Sequence, residues 1–487
     1  MRQELLIDDI PGECRVALLE DGAVVEVDID RNSQHSLIGN IYWGRADSVV
    51  PSLQAAFITL NNGPQAFLSV RDSQALYPDG SHKRPPRLET FIHEGQWVLV
   101  QVTKDSVSDK GPRVTASPSL AGRFLVYQPL RAGISISSRI QNDDERSRLE
   151  QAMQEVVDKV DCDGGFIVRT VANGADLDVL THEAEQLANA WQEAYIPAPT
   201  GGDPVCIYED LPPRLRALRD WAMPEVDHIR VHGHELHAAV KNYIDQQMPD
   251  LSDRIEVYTG AELLFEEYGV EAAIDEALEV RLELPTRGWV SIEQTEALTA
   301  VDVNSGGFRR EGNREDVALK SNLAAVPIIA RQLRLRDIGG QVVIDFINMH
   351  EQENRQAVAD AMEEAMATDK APHQIMGWSR LGLMEITRRR TRRSLPDLLA
   401  GQRQTREGRV RSVPSTGLDI LRLATLETEC TPTGTIRIAA HPAVVKWLNN
   451  GPLVDLTTQT SRAMEAKADD DMAVDEFDLY ADAPNAE

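Results

Sequence analysis

Cysteine is scarce in this chain: Cys14, Cys162, Cys206 and Cys430 are the four present, and no two stand in a CxxC spacing. Neither a disulfide framework nor a cysteine zinc site is suggested, and reduced structural thiols are expected. Long hydrophobic runs are also missing. No stretch approaches the roughly 18 apolar residues of a membrane span, and Met1-Arg2-Gln3-Glu4 lacks the charged and then apolar regions of a signal peptide. A cytoplasmic location is expected. Positive charge is short as well, with 50 Lys and Arg against 78 Asp and Glu and a formal net charge of -28. On average that argues against a polyanionic partner, because binding phosphates releases counterions through Lys and Arg. The distribution says otherwise. Acids concentrate at 143–145, 262–279 and 468–487, whereas 380–411 is strongly basic, and a local patch of one sign is enough to hold nucleic acid.

At 487 residues the chain is too long for one hydrophobic core, so three or more domains are expected. Strand-like runs fill the first thirty residues, punctuated by Pro11-Gly12 and Asp21-Gly22. From 37 to about 116 short β-rich runs recur between Gly and Asn residues, the pattern of a small OB-fold barrel. Helical periodicity at 144–157 and 177–194 brackets a strand at 165–170, giving a compact α+β unit. Strands and long helices alternate from 281 to 393, and a small module follows 412. The last twenty residues are acidic and are predicted to be disordered.

The chemistry concentrates in two β-branched runs that each carry a carboxylate, Ala300-Val301-Asp302-Val303-Asn304 and Val342-Val343-Ile344-Asp345. Two acids on neighbouring strands suit Mg²⁺, which takes one or two carboxylates plus waters and phosphate oxygens. Asn304, two residues beyond Asp302, falls on the same strand face and could bond a carboxylate or a phosphate. Both acids could instead simply end strands and cap turns, since Asp-x-Asn-Ser-Gly-Gly is good turn chemistry. Phe57 and Phe67 on the barrel could stack on bases with Lys110 reaching phosphate, or could be core. Arg169 and Thr170 at a strand end could form an anion pocket. Arg331, Arg334, Arg336 and the run Arg388 to Arg393 suit a phosphate-bearing substrate, although solvated helix faces carry such runs too.

Three long motifs stand in order: 295–306 (TEALTAVDVNSG), 336–349 (RDIGG leading into VIDFINM) and 379–388 (SRLGLMEITR). In these the chain resembles the ribonuclease E/G family of endoribonucleases, up to about residue 450. The resemblance implies an α+β multidomain protein. A divided RNase H-like domain (1–34 and 212–277) would carry an inserted S1-type OB-fold (35–118) and a 5′-sensor domain (119–211). A DNase I-like catalytic domain (278–393), a linker (394–412), a small α/β C-terminal domain (413–465) and the acidic disordered tail (466–487) would follow. It also implies that Asp302 and Asp345 bind one Mg²⁺ with Asn304 assisting, that Phe57, Phe67 and Lys110 grip single-stranded RNA, and that Arg169 and Thr170 hold a 5′-monophosphate. The implied reaction hydrolyses an internal phosphodiester, leaving a 5′-phosphate and a 3′-hydroxyl.

One departure stands out. Where the family usually carries a CPxC motif whose cysteines share zinc between two subunits, residues 401–408 read GQRQTREG, with no sulfur and no histidine. No structural zinc is predicted, a homodimer would rest on packing through 395–411, and the family's tetramer is in doubt. Asn348 stands where some relatives carry an acid. The long tail of larger members is also missing, which points to the shorter, ribonuclease G-like type. The competing expectation is a non-catalytic RNA-binding or regulatory protein.

Overall fold

The computed structural model describes every residue except Met1, Pro11, 32–35, 62–64, 78–84, 107–110, Asp161, Ala261, 307–312, Thr391, 405–407, Pro432 and 483–487. It divides into two units, one of residues 35–224 with 246–249, the other of 1–34, 225–245 and 250–487. No helix among the described residues is long and apolar enough to cross a membrane.

The first unit contains the expected barrel. Strands Ile41–Val50, Ala55–Thr59, Ala66–Ser69, Arg113–Thr115 and Trp97–Lys104 pair in that order, and the last closes onto the first. Alternation along the strands sorts the side chains: Ala56, Ile58, Leu68, Val100 and Val102 fill the interior while Phe57, Thr59 and Phe67 point outward. Beside it, a four-stranded sheet built around Gly165–Val168 and Leu125–Gln128 is covered by helices Asp143–Lys159 and Leu177–Ala194. Those helices bury Leu149, Met153, Val156, Leu180, Ala184 and Ala188 at three- and four-residue spacing. Asn142 caps the first by accepting from the Glu145 amide. Helix Pro213–Trp221, expected with 212–277, groups with this unit.

Among the described residues the second unit holds three larger sheets and one two-stranded hairpin. In the first, Gln3–Ile10 lies between Val226–His232, to which it is parallel, and Glu13–Glu20, to which it is antiparallel. Its apolar side chains share a core with helix Val270–Leu278 and with Leu395 and Leu399. Those two leucines are thus spent inside their own chain, and the stretch expected as a linker is a short helix, Leu395–Leu399, followed by a hairpin of Ala400–Gln404 and Arg409–Arg411. Gly269, at φ +67°, breaks what reads as one helix at 262–278 into two.

The second sheet is mixed, in the order Arg281–Glu283, Trp289–Gln294, Thr299–Asn304, Gly340–Asp345, Met384–Arg388, His373–Trp378. Helices Arg314–Leu335 and Gln352–Met366 share a core with one face, against Val290, Ile292, Val301, Val303, Val342, Ile344 and Ile386. Each fully buried Val or Ile of this kind stabilises by about 1.5–3 kcal/mol. On the other face Glu293, Ala300, Asp302, Gln341, Asp345, Glu385 and Thr387 are exposed.

The third sheet corrects an expectation. Residues 466–487 were predicted to be disordered, yet Ile436–Ala440 is flanked by Met464–Ala468 and by Phe477–Ala481. Net charge conceals a period-two pattern in which Met464, Ala466, Phe477 and Leu479 pack on the terminal core while Glu465 and Asp478 face water.

Candidate active site

Strands Thr299–Asn304 and Gly340–Asp345 are parallel neighbours, and their register sets Asp302 beside Asp345. Because Val301, Val303 and Ile344 are drawn into the helix-covered core, pleating sends both carboxylates to the open face. The strands lie about 4.8 Å apart, so two negative groups stand side by side at the carboxyl ends of a parallel pair. Among the described residues neither acid forms an ion pair. Asp302 accepts from Asn304 Nδ2 at 2.6 Å, which leaves its charge in place and limits its rotation.

The segment leaving Asp345 is pinned from the helix beneath. Asn322, fully buried, donates from Nδ2 to the Ile347 carbonyl at 2.8 Å and accepts the Ile347 amide at 3.0 Å. Glu315 accepts the amides of His350 and Glu351 and the side chain of Asn354. Donation from His350 and then Glu351 holds the Glu315 carboxyl below its ordinary range. On the opposite side, a Cβ at Gly288 would collide with the Asn304 carbonyl and one at Gly306, at φ +60°, with that of Arg287. These glycines let the turn before Trp289 close against the strand end that carries Asn304. Neither Asn322 nor Glu315 belongs to the sequence-based expectations; the one signal was a polar residue within an otherwise apolar helix stripe.

The donor set suits a hard cation that keeps open positions. Two adjacent carboxylates, restrained by a neutral amide and facing solvent, match the ligand count that Mg²⁺ takes from protein, the remainder coming from water and phosphate oxygen.

The cations expected to meet phosphate are mostly committed elsewhere. Arg334 is buried against Glu20 and Glu26, and Arg331 bonds Glu276 and the Val24 carbonyl. Arg336 is buried against Gln332 and the Glu276 carbonyl, and Arg388 is buried between Asp369 and Asp337. Arg392 pairs with Asp28 at 3.1 Å. A buried guanidinium needs such partners to offset desolvation, so these residues brace the unit. Arg389, Arg390 and Arg393 are the exposed members of the run among the described residues.

Phe57 and Phe67 face one another across the barrel's outer surface, ring centroids 5.9 Å apart and nearly perpendicular. Both are half-buried and neither belongs to the barrel core. Arg113, register partner of Phe67, holds its guanidinium 5.6 Å from that ring and adds a cation the sequence reading did not include. Lys110 lies outside the described residues. In the neighbouring sheet Arg169 follows strand Gly165–Val168, donating to the Gly122 carbonyl and, at 2.8 Å, to Asp220. Thr170 is exposed, its hydroxyl 3.0 Å from that of Ser137.

The candidate residues thus lie on two surfaces, a barrel with outward aromatics and a sheet with paired carboxylates on an open face. Residues 119–391 match the Ribonuclease E/G family. Over 455 residues the chain is 34% identical to Ribonuclease G of Escherichia coli (strain K12), covering 92% of each sequence. It is 33% identical to Ribonuclease G of Haemophilus influenzae over 98% of this chain and 99% of the relative. With Ribonuclease E of Escherichia coli (strain K12) it shares 35% identity over 84% of this chain and 39% of that longer relative. The chain belongs to the ribonuclease E/G family.

Proposed function

We propose that this protein is a Mg²⁺-dependent endoribonuclease that cleaves single-stranded RNA internally in RNA processing and decay, within the cytoplasm. The observation that carries the reading is the register pairing of Asp302 with Asp345 on a solvent-facing sheet surface, with Asn304 bonded to the first. Asp302 and Asp345 would hold the cation, which supplies charge stabilisation at phosphate and a more acidic water. Asn304 keeps Asp302 turned toward the shared position, and Asn322 and Glu315 keep Asp345 and the segment after it from drifting. Hydrolysis adds water across phosphorus and the 3′ oxygen, giving a 3′-hydroxyl and a 5′-phosphate.

In this reading Phe57 and Phe67 take bases on the barrel, with Lys110 contributing charge, while Arg169 and Thr170 hold a 5′-monophosphate. The family's RNase H-like, S1-type, 5′-sensor and DNase I-like divisions apply. Dimerisation proceeds without a zinc link, because 401–408 offers no thiolate.

The test is cleavage of a short, 5′-monophosphorylated, A/U-rich RNA in Mg²⁺ and in EDTA, with Asp302→Asn and Asp345→Asn alongside. Cleavage that needs Mg²⁺ and is lost in both variants, while RNA binding survives, is the expected result. Binding without cleavage by the unaltered chain under every condition would instead mark a non-catalytic RNA-binding protein.

A further inference from the structure

Strand Trp289–Gln294 runs antiparallel to the strand of Asp302, with Trp289 opposite Asn304 and Ser291 opposite Asp302. Val290 and Ile292 are buried in the helix-covered core, so Trp289 and Ser291 stand on the same open face as the two acids. The indole is half-buried and is not part of the apolar cluster on the other side of the sheet. The edge strand Arg281–Glu283 adds one more row, with Arg281 opposite Ser291 and Glu283 opposite Trp289. The face therefore reads Arg281, Ser291, Asp302, Asp345 in one line across four strands, with Glu283, Trp289 and Asn304 in the next.

Arg281 lays its guanidinium carbon 3.8 Å from the centre of the Trp289 ring, well inside the 5.0–5.6 Å of the other cation–ring contacts among the described residues. At that distance the cation lies over the indole face, within cation–π reach. Its side chain stays 52% exposed, and its ion pair, with Glu283 at 3.2 Å, involves a carboxylate that is 70% exposed. Such a surface pair contributes little, so the guanidinium is free to turn toward phosphate or to let a base share the stack. A large, half-buried aromatic thus stands on the open sheet surface, one strand from Asp302 and Asn304 and two from Asp345.

We propose that the Trp289–Arg281 pair is a stacking subsite for the base of a nucleotide flanking the scissile phosphate, with Arg281 supplying positive charge beside the carboxylates. The subsite rests on the endoribonuclease reading and adds to it a second aromatic contact, separate from Phe57 and Phe67. Stacking on indole and guanidinium accepts any base, because every base has a π-face. The subsite thus positions the strand without choosing its sequence.

The test uses the intact chain and one RNA sequence in three forms: unmodified, abasic at the nucleotide 5′ of the cleaved bond, and abasic at the nucleotide 3′ of it. Trp289→Ala should lower kcat/KM on the unmodified RNA about tenfold, the scale of one base–aromatic stack, and Trp289→Phe should restore most of it. On one of the two abasic RNAs the alanine variant should cost nothing further. Equal loss on all three RNAs would mean a merely structural residue and overturn the proposal, as would full activity on the unmodified RNA. Affinity for the unmodified RNA is measured in parallel in the Asp302→Asn background, where Trp289→Ala should weaken it about tenfold; unchanged affinity also overturns it. If the unaltered chain fails to cleave while this affinity loss is seen, the endoribonuclease reading falls and the stacking subsite stands.

Discussion

Asn304 donates its side-chain amide to Asp302 from two positions along the same strand, so the restraint on one acid comes from a neutral neighbour and leaves the charge facing Asp345 undiminished. Replacing Asn304 with Ala removes that restraint without touching the core. We expect kcat to fall roughly 10–100-fold, as for other groups that orient metal-binding side chains, with stability within about 0.5 kcal/mol of the parent. Steady-state kinetics across a Mg²⁺ series, with a thermal melt, checks both; unchanged kcat would remove Asn304 from the site.

Gly288 is the position where the turn before Trp289 meets the Asn304 carbonyl with no room for a Cβ. Gly288→Ala must push the two segments apart, at a cost of about 1–3 kcal/mol. The displaced atoms belong to the strand end bearing Asn304, so activity should drop at least as much as in Asn304→Ala, while far-UV circular dichroism stays native. A fully active alanine variant would show that this close approach is dispensable.

Phe57 and Ile58 are adjacent in the same barrel strand but face opposite ways. Phe57→Ala should raise KM roughly tenfold through a lost stack and leave the melting temperature nearly unchanged. Ile58→Ala should cost about 2–5 kcal/mol of stability. The reverse pattern, measured by melts and by RNA titration, would return Phe57 to a packing role.

Asp220 orients Arg169 from 2.8 Å. Burial pushes its carboxyl upward, but Arg219 and Arg169 outweigh that and hold it well below the ordinary 3.8. A depressed value in the fold means the stabilisation is complete above 3.8 and is lost only as pH falls through the lower folded value. The preference for 5′-monophosphorylated over 5′-hydroxyl RNA should therefore owe no pH dependence to Asp220 between pH 5 and 8. Any change near pH 6 would come from the substrate phosphate, whose second pKa is about 6. Asp220→Asn should lower the preference throughout; an unchanged ratio would separate Arg169 from 5′-end sensing.

What was legible in the sequence was local. Asp302 and Asp345 interrupt β-branched runs, a pattern that marks both the strand and the face, and helix 177–194 declared itself by periodicity. The direction of Phe57 could not be read, because Ala55-Ala56-Phe57-Ile58-Thr59 allows either face to be the core. Arg334 and Arg388 were misjudged because their partners, Glu20 and Asp337, lie 314 and 51 residues away. The strand at Phe477–Ala481 was hidden by its charge, since composition averages the alternating residues that register keeps apart. Arg113 and Asp220 were missed for the same reason as the ion pairs: only folding brings them to Phe67 and Arg169.

Arg15 is fully buried and bonds Glu13 on its own strand, Glu271 and Asp419, the last from 404 residues away. Synthesis at about 5–20 residues per second separates the two by roughly 20–80 s. For that interval the guanidinium has no Asp419 to meet, and desolvating it early is opposed by its hydration. Glu13 can meet this charge within its own strand and Glu271 later, but the last of its three partners is missing until helix Val413–Cys430 arrives. The chain thereby delays the final closure of its earliest sheet until a helix near its C-terminal end has been made.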